Sequence, residues 1–200
     1  MKLLNRILIA LFILIDGWYV YDKLSTGVTD RLAIALAVIP ILLGPYLIKK
    51  IFHYEMGEPL KFVYYLFTFC CVILGSVLNW YNLPQTKGFD KLTHFVSGFL
   101  TSMVALLVLK KAGIKNKKMW FIVTYIILFS VAIGGIWEFF EFFCDAITGG
   151  DTQHVLDSGV DDTMGDMLVA TLASILFSLY YLYSYKWAKT NHVKKLEELL

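Results

Sequence analysis

Long apolar stretches separated by short polar ones run along most of the chain. Taken between charged or turn-forming boundaries they fall at about 4–21, 32–52, 62–82, 91–109, 119–144 and 163–185, and each is long enough to cross a bilayer as a helix of roughly 20 residues. The pattern predicts an all-α bundle of six transmembrane helices over residues 1–185, followed by a basic tail over 186–200. Pro40, Gly44 and Pro45 lie inside the second stretch and predict a bend there. Membrane helices tolerate such a bend when neighbouring groups bond the carbonyls that proline leaves without a donor. The third stretch ends in Asn79, Trp80 and Tyr81, residues that favour the membrane–water boundary. Ile7 to Ile15, after Lys2 and Arg6, has the flanks of a secretory signal. No small-residue cleavage site follows it, so it is expected to stay as the first span.

Composition changes the picture only by closing alternatives. At 58% hydrophobic and 17% charged residues in 200, the chain is too apolar for a soluble enzyme or a nucleic-acid-binding module. Cys70, Cys71 and Cys144 have neither a disulfide framework nor a metal-ribbon spacing and read as small apolar residues.

Charge adds orientation. With six spans, fourteen of the 18 basic residues fall on one side: Lys2, Arg6, Lys49, Lys50, Lys61, Lys110, Lys111, Lys115, Lys117, Lys118, Lys186, Lys189, Lys194 and Lys195. Lys23, Arg31, Lys87 and Lys91 fall on the other. Basic residues in short loops resist translocation, so both termini are expected in the cytoplasm. Twelve of the 16 acidic residues then lie in or near the outer half, among them Asp16, Asp22 and Asp30. An outer surface of that sign favours cations or the cationic part of a ligand.

The outer acids recur at helical spacing. Glu138, Glu141 and Asp145 stand at i, i+3 and i+7 in the run I-W-E-F-F-E-F-F-C-D, inside an arc of about 60° on one helix. Asp90 and His94 share a face at i, i+4, as do Asp162 and Asp166. A lipid-facing carboxylate at the depth of Glu138 costs about 2 to 3 kcal/mol, so these groups should face the bundle interior or a ligand. Clustered carboxylates repel one another, and basic partners on that side are few. A divalent metal ion compensates them economically, because aspartate and glutamate oxygens with one imidazole suit Mg²⁺, Mn²⁺, Zn²⁺ or Fe²⁺.

The expected ligands are His94, Glu138, Glu141, Asp162 and Asp166. Asp90 and Glu141 are the candidate catalytic residues, Asp90 standing where it orients the imidazole or accepts a proton. Solvated turn chemistry accounts for Asp151, Asp157 and Asp161, in a loop that is also a candidate lid, and His154 is a further ligand candidate. Asp16 either reaches the outer interface or joins the cluster. Gly134 and Gly135, and Gly98 with Ser102, suit close helix approach.

The set D-K-L-T-H, then I-W-E-F-F-E-F-F-C-D, then Q-H and D-D-T-M-G-D-M resembles the YjdF-type inner-membrane proteins over most of the chain. More distantly it is similar to the VanZ-like membrane proteins, whose pattern is D-K-x-x-H, then E-x-x-Q, then an aspartate before a polar helix start. Asp90, Lys91 and His94 match the first element and Glu138 the second, while Glu141 replaces the glutamine and Asp166 stands near the usual asparagine. The resemblance implies a helical bundle in a bacterial or archaeal cell membrane. It assigns no reaction: the first family has no established activity, and the second is linked to resistance to glycopeptide or lipopeptide agents.

Three functions follow from the residues. One is a metal-dependent enzyme acting on a lipid or lipid-linked headgroup at the outer leaflet. Another is a cation, lipid or amphiphile binding or transport protein that breaks no bond. The third is an assembly factor whose buried acids fix helix register.

Overall fold

The computed structural model describes residues 1–27, 32–113 and 118–186. Asp30, Arg31, Lys115, Lys117 and the basic tail after Lys186 lie outside the described residues. All regular structure among the described residues is helical. Five helical segments are long and apolar enough to cross a membrane: Lys2–Thr26, Glu58–Val77, Pro84–Lys111, Met119–Ile147 and Asp161–Lys186. The chain is therefore an all-α membrane protein. It divides into two compact units, one of Met1–Phe89 and one from Asp90 onward.

The first unit is built on α1 (Lys2–Thr26), α2 (Leu32–Leu36), α3 (Val38–Leu42), α4 (Gly44–Phe52) and α5 (Glu58–Thr68), the last continuing as a π-helix over Phe69–Val77. The stretch expected as a second span is thus three short helices in succession. Proline is the cause: Pro40 and Pro45 cannot donate to the carbonyls of Leu36 and Ile41 four residues earlier. The Tyr64 hydroxyl of α5 donates to the Ile41 carbonyl at 2.8 Å and replaces the missing donor. Gly44 makes this reach possible, since a Cβ there would collide with the Tyr64 hydroxyl. Phe12, Ala35, Val38 and Ile73 form the buried centre of the unit. Phe12 meets Phe69 edge to face at 5.1 Å.

The second unit packs α6 (Phe89–Lys111), α7 (Met119–Thr148) and α9 (Asp161–Lys186), with the single turn α8 (Val155–Ser158) before α9. Ala105 and Leu106 of α6, Ile126 of α7, and Phe177 and Tyr181 of α9 make its core. Small residues let the helices close. A Cβ on Gly98 would run into the Ala170 backbone carbonyl, so α6 and α9 touch through their main chains. The Thr101 and Ser130 hydroxyls share a hydrogen bond of 2.7 Å between α6 and α7.

Outward surfaces are apolar, with Leu128, Phe139, Leu168 and Tyr183 among many large exposed side chains. In water this would be an aggregation surface, and in a bilayer it is the lipid contact. The up-down-up order of the three long helices brings the start of α6, the end of α7 and the start of α9 to one end. That end is acidic, and Lys110, Lys111, Lys118 and Lys186 mark the other.

Candidate functional site

The acidic end of the second unit is organised by helix termini. Asp90 lies in the first turn of α6, and Asp161 and Asp162 in the first turn of α9. The free amides and dipoles of those turns favour carboxylates. Glu138, Glu141 and Asp145 come from the last three turns of α7, where the dipole opposes them, and they are held by side-chain and loop donors instead.

Those donors are specific. Asp145 accepts from the amide and hydroxyl of Thr152 at 2.8 and 2.7 Å and from the Gln153 amide at 3.1 Å, which fastens the loop after α7. The turn itself is made by Gly149, with φ 70°, whose amide bonds the Asp145 carbonyl. Gln153 then turns its side-chain amide back onto the Glu138 carbonyl at 3.2 Å and carboxylate at 3.4 Å. Glu138 is buried. Glu141 accepts from the Trp137 indole at 2.8 Å.

On the facing helices, Lys91 projects from α6 into a carboxylate cage. Its Nζ stands 2.6 Å from Asp162, 2.8 Å from Asp166 and 3.5 Å from Asp90, and it also donates to the Asp162 carbonyl at 3.2 Å. Gly165 lies between the two α9 aspartates in sequence. A Cβ there would stand 3.3 Å from Cε and 3.6 Å from Nζ of Lys91, so the bare backbone gives the lysine stem room. His94 Nε2 is 3.6 Å from Asp90 Oδ1 and 3.9 Å from Asp166 Oδ1.

Of the expected ligands, the structure therefore brings His94 and Asp166 together. Asp90, expected beside the imidazole, completes the group, with one ligand atom from each of the three inside 4.8 Å of the others. Two donors on one ion at about 2.1 Å stand roughly 3 to 4 Å apart, so the spacing suits a metal ion. Asp162 is taken up by Lys91. Glu138 and Glu141 lie in the Gln153 and Trp137 hydrogen bonds, outside that trio. The His154 backbone starts α8 with φ 51°, and its carbonyl accepts from the Asp157 and Ser158 amides. Asp16 belongs to the first unit, buried in α1.

Lys91, Gln153 and Gly165 all lie in motifs that the sequence sets apart, D-K-L-T-H, Q-H and D-D-T-M-G-D-M, yet their spacing alone assigns none of them a contact at the site. The signal was present: in D-K-L-T-H the lysine is one turn before His94 and so can reach the same neighbours. Nothing in the sequence showed that α9 would present its two aspartates to it.

Comparison with known proteins extends over the same elements. The family described as "Predicted membrane protein (DUF2238)" matches residues 4–187. The chain belongs to that family. The DUF2238 match covers every long helix of both units, so the site lies wholly within the shared region. No curated protein and no solved structure matches the chain.

Proposed function

We propose that the acidic end of the second unit is a divalent-cation site through which the protein acts on a lipid or lipid-linked headgroup. The observation that carries this reading is the convergence of Asp90, His94 and Asp166 on one point, two carboxylates and an imidazole at ligand spacing. That donor set is hard to borderline and suits Mg²⁺, Mn²⁺, Zn²⁺ or Fe²⁺. A bound divalent ion would supply Lewis acidity toward a phosphoryl or carbonyl oxygen and acidify a water. Glu141, outside the trio, would be the carboxylate that moves the proton.

A lipid substrate is supported by the rim of this end. Phe139, Phe140, Phe142, Phe143 and Ile147 are exposed along the last turns of α7, and Leu156 beyond them. Apolar side chains beside a charged centre suit a molecule with both kinds of surface. The excess of basic residues at the opposite end supports cytoplasmic termini and a site facing outward in a bacterial or archaeal cell membrane. A periplasmic reporter fused after Lys195 should stay inactive, and activity there would overturn this orientation.

The test of the cation site is elemental analysis of detergent-purified protein against a His94→Ala, Asp166→Asn variant. Near-stoichiometric metal in the wild type and its loss from a folded variant are expected. A stable wild type that takes up no added Mn²⁺ or Zn²⁺ would sink the reading.

One observation favours a second reading, a non-catalytic binding protein for a cation, lipid or amphiphile. Lys91 already pairs with both Asp162 and Asp166, so part of the carboxylate charge is balanced by the chain itself. On that reading the purified protein retains a lipid or cation but turns over no headgroup.

A further inference from the structure

The first unit holds a cavity of about 520 Å³ between the first turns of α1, α4 and α5 and the connection that precedes α5. Four basic side chains line it from these three helices: Lys2, Arg6, Lys49 and Lys61. Two carboxylates line it as well. Glu55 pairs with Lys49 at 2.8 Å and Glu58 with Lys61 at 2.9 Å. Lys2 and Arg6, at i, i+4 on one face of α1, form no ion pair among the described residues, so the cavity keeps an excess of positive charge. The first turn of α5 adds to it, since Gly57 leaves that helix start without a side-chain cap.

Much of the remaining wall is apolar. Ile9, Pro45, Tyr46 and Met56 line the cavity. Beyond it α4 exposes Tyr46, Leu47, Ile51 and Phe52 beside its lysines. A free anion has no use for such a wall, whereas an amphiphile needs both surfaces.

Asn5 lines the cavity and is 4% exposed, and it donates Nδ2 to the Glu58 carbonyl at 3.1 Å and to its carboxylate at 3.0 Å, which ties the start of α1 to the start of α5.

We propose that this cavity binds an anionic phospholipid. The phosphodiester lies against Lys2 and Arg6, and an acyl chain runs along Tyr46 and α4. The site is separate from the acidic end of the second unit and independent of any activity there. Basic pockets between membrane helices hold anionic headgroups in this way.

Native mass spectrometry of the full-length protein in detergent, titrated with defined lipids, tests it. Phosphatidylglycerol should bind about tenfold or more tightly than phosphatidylcholine, and the Lys2→Gln, Arg6→Gln variant should lose that preference. Lys50→Gln removes a neighbouring charge that does not line the cavity and should change binding less than about twofold. Lys2→Arg, Arg6→Lys should keep the preference, which separates charge from misfolding. Equal binding of phosphatidylglycerol and phosphatidylcholine by the wild type would overturn the proposal. So would a Lys50→Gln variant weakened as much as the double variant. Displacement of the lipid by millimolar inorganic phosphate would assign the site to a free anion instead.

Discussion

The Lys91 ammonium stands 2.8 Å from an oxygen of Asp166, a residue whose own side chain is 3% exposed while the lysine is 35% exposed. The pair joins α6 to α9 from the side where the bundle meets polar surroundings. Removing the lysine leaves a buried carboxylate uncompensated, which costs several kcal/mol in a closed interior and less where one partner is partly solvated. Lys91→Met is expected to destabilise the protein by about 1 to 3 kcal/mol, read from thermal unfolding in detergent. Adding Asp166→Asn should recover part of the loss. If the two losses simply add, the pair is not coupled.

The same Asp166 oxygen serves both Lys91 and the trio with His94 and Asp90. A cation bound to the trio therefore competes electrostatically with the lysine. Lys91→Met should bind Mn²⁺ about tenfold more tightly than the wild type, as measured by free-Mn²⁺ electron paramagnetic resonance. His94→Ala should weaken binding in either background. A Lys91 variant with unchanged or weaker affinity would argue that the lysine and the ion occupy different places.

Close approach of α6 to α9 rests on one missing methyl group. Gly98→Ala puts a carbon into the Ala170 carbonyl, a rigid neighbour, and should cost about 1 to 3 kcal/mol. Gly134→Ala, with no atom within 4 Å of the added carbon, should be neutral or gain up to about 1 kcal/mol from helix propensity. Comparing the melting of the two variants tests whether the contact is as tight as described.

Tyr64 and Pro45 form a thermodynamic pair through the Ile41 carbonyl. Tyr64→Phe removes the donor at 2.8 Å and should cost about 0.5 to 1.5 kcal/mol. In a Pro45→Ala background the restored backbone amide can bond Ile41, and the same tyrosine substitution should cost measurably less. Equal costs in both backgrounds would show that the hydroxyl does not compensate the proline.

The limits of sequence reading show at these same residues. The helical periods of Asp90 with His94, of Glu138 with Glu141 and Asp145, and of Asp162 with Asp166 are properties of single helices, so each face was legible. Pro40 and Pro45 announced a break in 32–52, since a missing amide is a local fact. Which tyrosine would reach the freed carbonyl was not local, because Tyr64 is 23 positions away from Ile41.

What the sequence by itself determined is the membrane-borne helical character, the acidic and basic ends, and which side chains share a face. These depend on composition, length and the 3.6-residue turn alone. Only the tertiary structure decided that Lys91 lies between Asp162 and Asp166, that Asp166 joins Asp90 and His94, and that Glu138 meets Gln153. Those partners depend on the rotation and depth of one helix against another. Small contacts such as Gly98 on Ala170 set both, and no spacing along a single helix contains them.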